Sequence, residues 1–370
     1  MFDNQYSNRR VLVTGHTGFK GSWLCQWLLD LGAHVIGFSL PPEPESILFQ
    51  HLELEKRIDH YIGDIRDKKR INQVVLATKP EIIFHLAAQP LVRRSYREPS
   101  ITWETNVIGS LNLFEAIKAA TSVSVCVVIT TDKCYENLEW DRGYRESDRL
   151  GGHDPYSASK AACEILSTSY RKSFFNSTSS PILNTVRAGN VIGGGDRSED
   201  RLVVDFIKSI RSGTPLILRN PTAVRPWQHV LEPLSGYLWL AISLLKKKQN
   251  NLAYSWNFGP EPDSCISVRD LANLLVKAWG SGSIQEQPDV DRLHESGLLR
   301  LDCSLAKQYL GWRGVWSPEI AIRKIVEWEL QSTSNEKMKD ITSKQIIAYH
   351  KSAMEQNISW SNEMGIVHER

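Results

Sequence analysis

The stretch "VLVTGHTGFKGSWL", residues 11–24, constrains the fold of this chain more than any other feature. An apolar run stops at a loop holding Gly15, Gly18 and Gly21, and a helix-like segment follows at once. Glycine accepts the positive φ of a tight turn and lets backbone N–H groups come close to a ligand. A helix N-terminus beyond such a loop attracts a phosphate through its dipole and its free N–H groups. Three spaced glycines alone are a common accident, but a strand before them and a helix after them supply the confirming context. The loop therefore reads as nucleotide-binding rather than merely structural.

The same rhythm continues downstream. Strand-like runs at Arg10–Thr14, His34–Phe38, Ile82–Leu86 and Val125–Ile129 are apolar without alternation, as expected of parallel strands covered on both faces. Helix-like segments at Ser22–Leu31, Arg66–Thr78, Ile101–Ala120 and Tyr156–Phe174 lie between and after them. Such alternation predicts an α/β fold, a Rossmann-type doubly wound parallel sheet. From about Ile182 glycine and proline become frequent (Gly189, Gly193–Gly195, Pro215, Pro221, Pro226). The domain change is placed there: residues 1–180, then 181–370, with chain at 227–260 expected to return to the first domain. The polar tail after Ser332 has a helical stretch, Ile341–Met354, and no legible motif.

Charge and composition exclude several classes. Lysine plus arginine number 44 against 42 acidic residues, so no single-sign field points to a nucleic-acid partner. No apolar run reaches the ~18 residues of a membrane span, and the polar start MFDNQYSNRR lacks the apolar core of a signal peptide. The six cysteines are far apart with no C-x-x-C pair, which argues against zinc or any other metal centre and against a disulfide framework. A reduced, cytoplasmic protein is expected.

The second strand ends at Ser39 and Leu40, with neither an acid for ribose hydroxyls nor a base for a 2′-phosphate. Ser39 can hydrogen-bond a ribose, so NAD is preferred over NADP. "GDIRD" places Asp64 and Ile65 after the third strand, where an adenine can be held, and "FHLAAQ" ends the fourth with small residues, Ala87 and Ala88. His16 stands inside the loop where smaller residues are usual and bears on how tightly NAD is held.

"DPYSASKAA" sets Tyr156 and Lys160 four apart, on one face of a helix. A phenol with a pKa of about 10 is a poor base, but a nearby ammonium favours the phenolate. The pair therefore reads as a base for a sugar or alcohol hydroxyl. "ITTDKCYEN" ends a buried strand in Asp132 and Lys133, an arrangement that is costly unless it is solvated or has a task; a structural ion pair is the plain reading.

As an ordered set, G-x-x-G-x-x-G, D-I-R-D, H-L-A-A, T-N-V-x-G and Y-x-x-x-K resemble the extended short-chain dehydrogenase/reductase superfamily of NAD-dependent epimerases and dehydratases, over residues 9–330. The resemblance implies a smaller mixed α/β carboxy-terminal domain holding a nucleotide sugar. It implies NAD contacts at Gly15, Gly18, Phe19, Gly21 and Ser39, and at Asp64, Ile65, Ala87, Ala88 and Asn106, with Tyr156 and Lys160 beside the nicotinamide. Substrate contacts fall at Gln89, Asn190, Arg219 and Arg225. A homodimer, with higher oligomers left open, would pair the helices at 101–120 and 156–174.

Thr131, Asp132 and Lys133 resemble the T-D-E of sugar 4,6-dehydratases, with a lysine as in the branch that takes CDP-glucose. "AAQPLVRRSY", "RAGNVIGGGD", "RPWQHVLEP" and "LDCSLAK" resemble that branch too. It implies that Tyr156 and Thr131 serve C4 oxidation, Asp132 expels the C6 hydroxyl as water, and Lys133 takes the C5 proton. Three other readings stay open: another nucleotide-hexose 4,6-dehydratase, including one that inverts C5 of an N-acetyl sugar; a 4-epimerase; and a non-catalytic NAD-binding regulator. His229 and Glu232 are read as binding groups or as caps at the domain seam. Trp23, Trp27, Trp103 and Trp239, at helical apolar positions, are expected in the core, with Trp227 and Trp256 at the seam.

Overall fold

Valine, isoleucine and phenylalanine dominate the strand-like runs, and such side chains fit a pleat packed on both faces. The computed structural model describes residues 1–247, 254–261, 264–287, 298–332 and 337–362. The strands are β1 (Arg10–Thr14), β2 (His34–Ser39), β3 (Asp59–Ile62), β4 (Ile82–His85), β5 (Val125–Ile129), β6 (Ile182–Ala188) and β7 (Ser255–Phe258). They form one seven-stranded sheet in the order β7-β6-β5-β4-β1-β2-β3, and every neighbouring pair is parallel.

Side chains alternate across this sheet into two cores. Val11, Val13, Phe84 and Val127 pack with Trp23 and Trp27 of α1 (Phe19–Asp30). Leu12, Ile83, Cys126 and Val128 pack on the other face, with α2 (Lys68–Thr78), α3 (Gly109–Ala119) and α4 (Pro155–Ser173). The helices thus cover both faces, and strand order reverses between β1 and β4. That switch point is where open α/β sheets leave a crevice for a ligand.

The sheet takes chain from both sides of residue 180: β6 and β7 lie beyond it, and α5 (Leu231–Lys247) packs Leu234 and Leu238 into the first core. A second lobe gathers around Val203, Phe206, Leu271, Leu275, Ile322 and Ile325. Stretches 248–253, 262–263, 288–297, 333–336 and 363–370 of the expected second domain lie outside the described residues.

The tail is tied to α5 through a buried carboxylate. Glu232 accepts hydrogen bonds from the backbone N–H of Val315 at 2.9 Å and of Trp316 at 2.8 Å, and from the Tyr349 hydroxyl at 2.7 Å. Tyr349 belongs to α6 (Met338–Glu355), so the helix without a motif closes the fold. His229 is buried edge-on between Trp23 and Trp316. Both side chains are buried, and these contacts are with α1 and the tail of the chain.

Two local features depart from the sequence reading. The helix expected at 101–120 contains a π turn at Glu104–Ile108, the kind of insertion that recurs at functional positions. Trp103 is 40% exposed rather than in the core. Helical spacing marks an apolar face without saying what covers it. Trp239 is partly buried, and Trp256 is fully buried in the first core. The six cysteines are free thiols. Among the described residues no helix is long and apolar enough to cross a membrane, and no cluster of three or more metal-ligating side chains occurs.

Candidate active site

The carboxyl ends of β1, β4 and β5 meet at the switch point, and α4 brings its first turn to the same place. Asp154 caps that helix, its carboxylate accepting the Ser157 N–H at 2.9 Å, and Pro155 fills the first position, where a missing N–H costs nothing. "D-P-Y" therefore fixes where Tyr156 starts. Past β5, Thr131 caps a 3-10 turn over Asp132–Cys134, and its hydroxyl donates to Asp132 Oδ1 at 3.0 Å.

Asp132 is 2% exposed, and its second oxygen, Oδ2, has no hydrogen-bond partner among the described residues. Burial pushes its carboxyl above the ordinary range, while Lys133, the Thr131 hydroxyl, Arg225 and Lys20 draw it down. The group is thus biased toward the neutral acid. Lys133 stands beside it, partly exposed. Tyr156 shares a hydrogen bond with Thr131, which lowers its pKa, yet burial wins and the phenol is pushed up to about 12. The sequence spacing had Lys160 lowering it. In the structure the Lys160 ammonium instead donates to the Ile129 carbonyl at 3.0 Å, and its own pKa is lowered by burial. In the chain alone burial is the largest influence on the phenol, and Arg201 is a cation that draws it down.

The glycine loop has the features a dinucleotide phosphate needs. Gly15 sits at φ 75°, where a Cβ would lie 2.8 Å from the Ala87 backbone nitrogen. Gly18 begins α1 with no side-chain cap, so the helix's first N–H groups are left to another partner. The Ser39 hydroxyl meets that of Thr17 at 2.9 Å, tying the end of β2 to the loop. Phe19 lies against Gly193 of the second lobe. His16 packs over Gly37, with Nε2 2.7 Å from His60 Nδ1, and is pushed down to about 3, chiefly by burial. Its ring is an internal spacer at this corner.

Other sequence candidates brace the cleft. Asp64 is gripped by Arg66 at 2.7 Å, which lowers its pKa. Ile65 is buried under Gly109. Asn106, in the π turn, accepts from the Gln89 N–H at 2.8 Å and donates to Ser159 Oγ at 2.8 Å. The Gln89 amide, expected to meet substrate, is buried and spent on Thr102 and Leu91. Ala87 and Ala88 remain partly exposed at the end of β4.

Of the nucleotide-end candidates, Arg225 reaches Asp132 electrostatically, and Asn190 is partly exposed with its carbonyl accepting from Gln228 N–H at 3.0 Å. Arg219 is instead committed to Asp200 at 3.2 Å, which also holds Arg93 at 3.8 Å. Two cations were missed. Lys20, from the glycine loop, acts on Asp132, Lys160, Asp196 and Arg201, and burial lowers it to about 8. Arg201 acts on Tyr156 as well. Both stand at helix N-termini, where a cation opposes the dipole, and that mismatch was the available signal.

Comparison with known proteins agrees with this geometry. The sequence profile described as GDP-mannose 4,6 dehydratase matches residues 12–327. CDP-glucose 4,6-dehydratase of Salmonella typhimurium is 43% identical over 350 residues, covering 94% of this chain and 97% of that protein. Among solved structures, a Thermus thermophilus UDP-glucose 4-epimerase in complex with NAD superposes with TM-score 0.74 at 25% identity, covering 88% of this chain and 99% of that one. A dTDP-glucose 4,6-dehydratase from Streptomyces venezuelae gives TM-score 0.74 at 24% identity over 87% of this chain and 97% of that one, and so shares the fold.

Proposed function

The chain belongs to the GDP-mannose 4,6-dehydratase family and is a nucleotide-sugar dehydratase, and from that premise we propose that its substrate is CDP-glucose and its product CDP-4-keto-6-deoxyglucose. The observation that carries the elimination is Asp132 and Lys133 side by side next to Tyr156, with the Asp132 carboxyl biased toward its neutral form. The substrate is favoured by the relative's identity over nearly its whole length.

The uncapped start of α1 and the turn at Gly15 fit NAD, which when bound would supply a reversible hydride acceptor and a positive ring that favours the Tyr156 phenolate. Thr131 and Tyr156 hold the C4 hydroxyl between them, and Tyr156 receives its proton. The resulting ketone acidifies the C5 hydrogen. Lys133 takes that proton, the C5–H electron pair becomes the C5=C6 bond, and the C6–O bond breaks as Asp132 delivers its proton to the departing hydroxyl. Water leaves, Asp132 is left as a carboxylate whose partners are Lys133, Arg225 and Lys20, and Lys133, now an ammonium that exchanges with solvent, gives a proton back to C5 as C6 takes up hydride. Arg225 and Asn190 are assigned to the diphosphate, where a planar guanidinium forks onto two oxygens.

Incubation with CDP-glucose and no added reductant is expected to yield a 4-keto product that carries one solvent deuterium at C5 when run in heavy water. No turnover with CDP-, dTDP-, UDP- and GDP-glucose alike would sink the assignment, and a 4-epimer without C5 exchange would replace it with epimerisation.

The same reading makes the chain a homodimer. Ile101, Trp103, Ile108, Ile165 and Phe174 are 40–61% exposed on the helices around 101–120 and 156–174, an apolar face of the kind that marks an interface. Ile165→Glu is expected to convert the dimer to monomer in sedimentation velocity; an unchanged sedimentation coefficient would remove this face from consideration. The substrate domain is assigned to the second lobe, and the protein to the cytoplasm, which six free thiols suit.

A further inference from the structure

Beneath the reacting groups lies an ion pair sealed from solvent. Arg187 of β6 and Glu164 of α4 are 2% and 1% exposed. The guanidinium donates through Nε to Oε1 and through Nη2 to Oε2, each at 2.9 Å. Desolvating two charges offsets most of what their attraction returns, so such a pair is weak evidence for stability. Its other bonds show what it holds.

Glu164 Oε1 accepts from the Thr130 hydroxyl at 2.5 Å, and Oε2 accepts from Thr185 at 2.7 Å. Arg187 Nη1 donates to the Tyr135 hydroxyl at 2.7 Å, its guanidinium lies over the Tyr135 ring at 4.8 Å, and that hydroxyl donates onward to Asn257 at 2.8 Å. Thr130 immediately precedes Thr131, and Tyr135 follows Lys133 by two positions. The pair therefore grips both ends of the six-residue stretch that carries Thr131, Asp132 and Lys133.

Helix α4 adds the register. Tyr156, Lys160 and Glu164 repeat at four-residue spacing on one face. Lys160 holds the Ile129 carbonyl and Glu164 holds Thr130, so consecutive residues at the end of β5 are pinned to consecutive turns of the helix that carries the base.

We propose that the Glu164–Arg187 pair is a positioning device for the elimination half of the reaction, fixing Asp132 and Lys133 relative to Tyr156. This rests on the elimination roles assigned above to Asp132 and Lys133. Neither member of the pair touches the reacting atoms. Tyr156, which takes the C4 proton, rides on the helix itself. Of the C4 groups only Thr131, which orients that oxygen, moves with the loop, so C4 oxidation depends on the clamp less than the two proton transfers of Asp132 and Lys133 do.

The test is a double variant, Glu164→Met with Arg187→Met, which leaves no lone buried charge and fills a similar volume. It is expected to keep the wild-type melting temperature and KM. Displacement of the loop by about an ångström should lower product formation about 10²-fold. C4 oxidation, read in single turnover as the near-ultraviolet absorbance of reduced nicotinamide on the enzyme, should fall much less, by no more than the loss of Thr131 alignment causes. Tyr135→Phe, which releases only the far end and strands no charge, is expected to show the same selective loss to a smaller degree. Wild-type product formation in a folded double variant overturns the proposal, as does an equal loss of oxidation and elimination. Should the double variant not fold, Tyr135→Phe with unchanged partition between the two steps overturns it instead. Lys133→Ala is run alongside: if that variant still eliminates water, the roles of the loop are wrong, whereas if it fails to eliminate and the clamp variants behave as wild type, only the clamp is wrong.

Discussion

Lys133→Ala is expected to keep C4 oxidation and lose elimination, with product formation down about 10²–10⁴-fold, the span a positioned acid or base supplies. Solvent deuterium should cease to enter at C5, since no base remains to take that proton. Asp132→Asn should lose the same step for the opposite reason: the amide has no proton to give the departing hydroxyl. The two are separated by pH. Asp132 must be protonated to act, and burial holds its pKa above the ordinary 3.8, so wild-type elimination weakens as pH rises through that raised value. Stability falls with rising pH as well. A carboxyl with a raised folded pKa is disfavoured in its charged form, so its penalty is absent below the unfolded pKa and grows to full size as pH climbs past the folded one. Asp132→Asn removes that penalty while Oδ1 can still accept from Thr131. At neutral pH the variant should melt higher than wild type and be inactive, a trade-off common at active sites. A lower melting temperature together with full elimination would contradict both halves of this account.

How much of this was legible in the sequence depends on whether a signal is local. β1 and β5 were readable at their observed bounds because an unbroken apolar run, Val11–Val13 in the first and Val125–Ile129 in the second, admits few alternatives. β3 is a short edge strand, "DHYI", only partly covered, so it has no apolar run to announce it. β7, "SWNF", falls in the 227–260 stretch expected to return to the first domain, but nothing local marks it as a strand, and it finds its place only by pairing with β6. The glycine loop and the Y-x-x-x-K turn offer spacing and chemistry within a few residues, whereas T-D-K gained its reading only from its resemblance to the dehydratases. Arg187 was not, because its task appears only when β6 comes alongside β5 and α4. The surroundings of Gln89 were hidden for a related reason: its backbone N–H donates to Asn106 in the π turn, and its amide closes on Leu91 and Thr102, partners that only the fold brings to it. Trp103 shows the limit of periodicity, which cannot tell a core from an interface.

Gly21→Ala is expected to damage the loop from within, against the local preference of the backbone. Gly21 lies in the first turn of α1, where alanine is favoured over glycine by about 1 kcal/mol. Propensity alone would call the change stabilising. Geometry decides otherwise: a Cβ there would lie 2.2 Å from the Gly15 carbonyl oxygen and 2.7 Å from the His16 Cα, both backbone atoms that cannot swing aside. Relieving such overlap by moving backbone costs about 1–3 kcal/mol, more than the helix gains. The shift would push the loop away from the start of α1, the two parts that must face one phosphate. A lower melting temperature and at least tenfold weaker NAD binding by calorimetry are therefore expected. Gly18→Ala is the informative contrast. Gly18 has φ −78°, open to any residue, and its added Cβ would meet only the Gly15 carbonyl oxygen, at 3.4 Å. Nothing in the chain itself forbids alanine there, so the melting temperature should hold. If NAD affinity falls nonetheless, the reason is the close approach of the ligand to that backbone, which places the phosphate over the uncapped turn of α1. If Gly18→Ala binds NAD as tightly as wild type, the phosphate does not sit there, and the loop's glycines serve only to pack β1, β4 and α1 against one another.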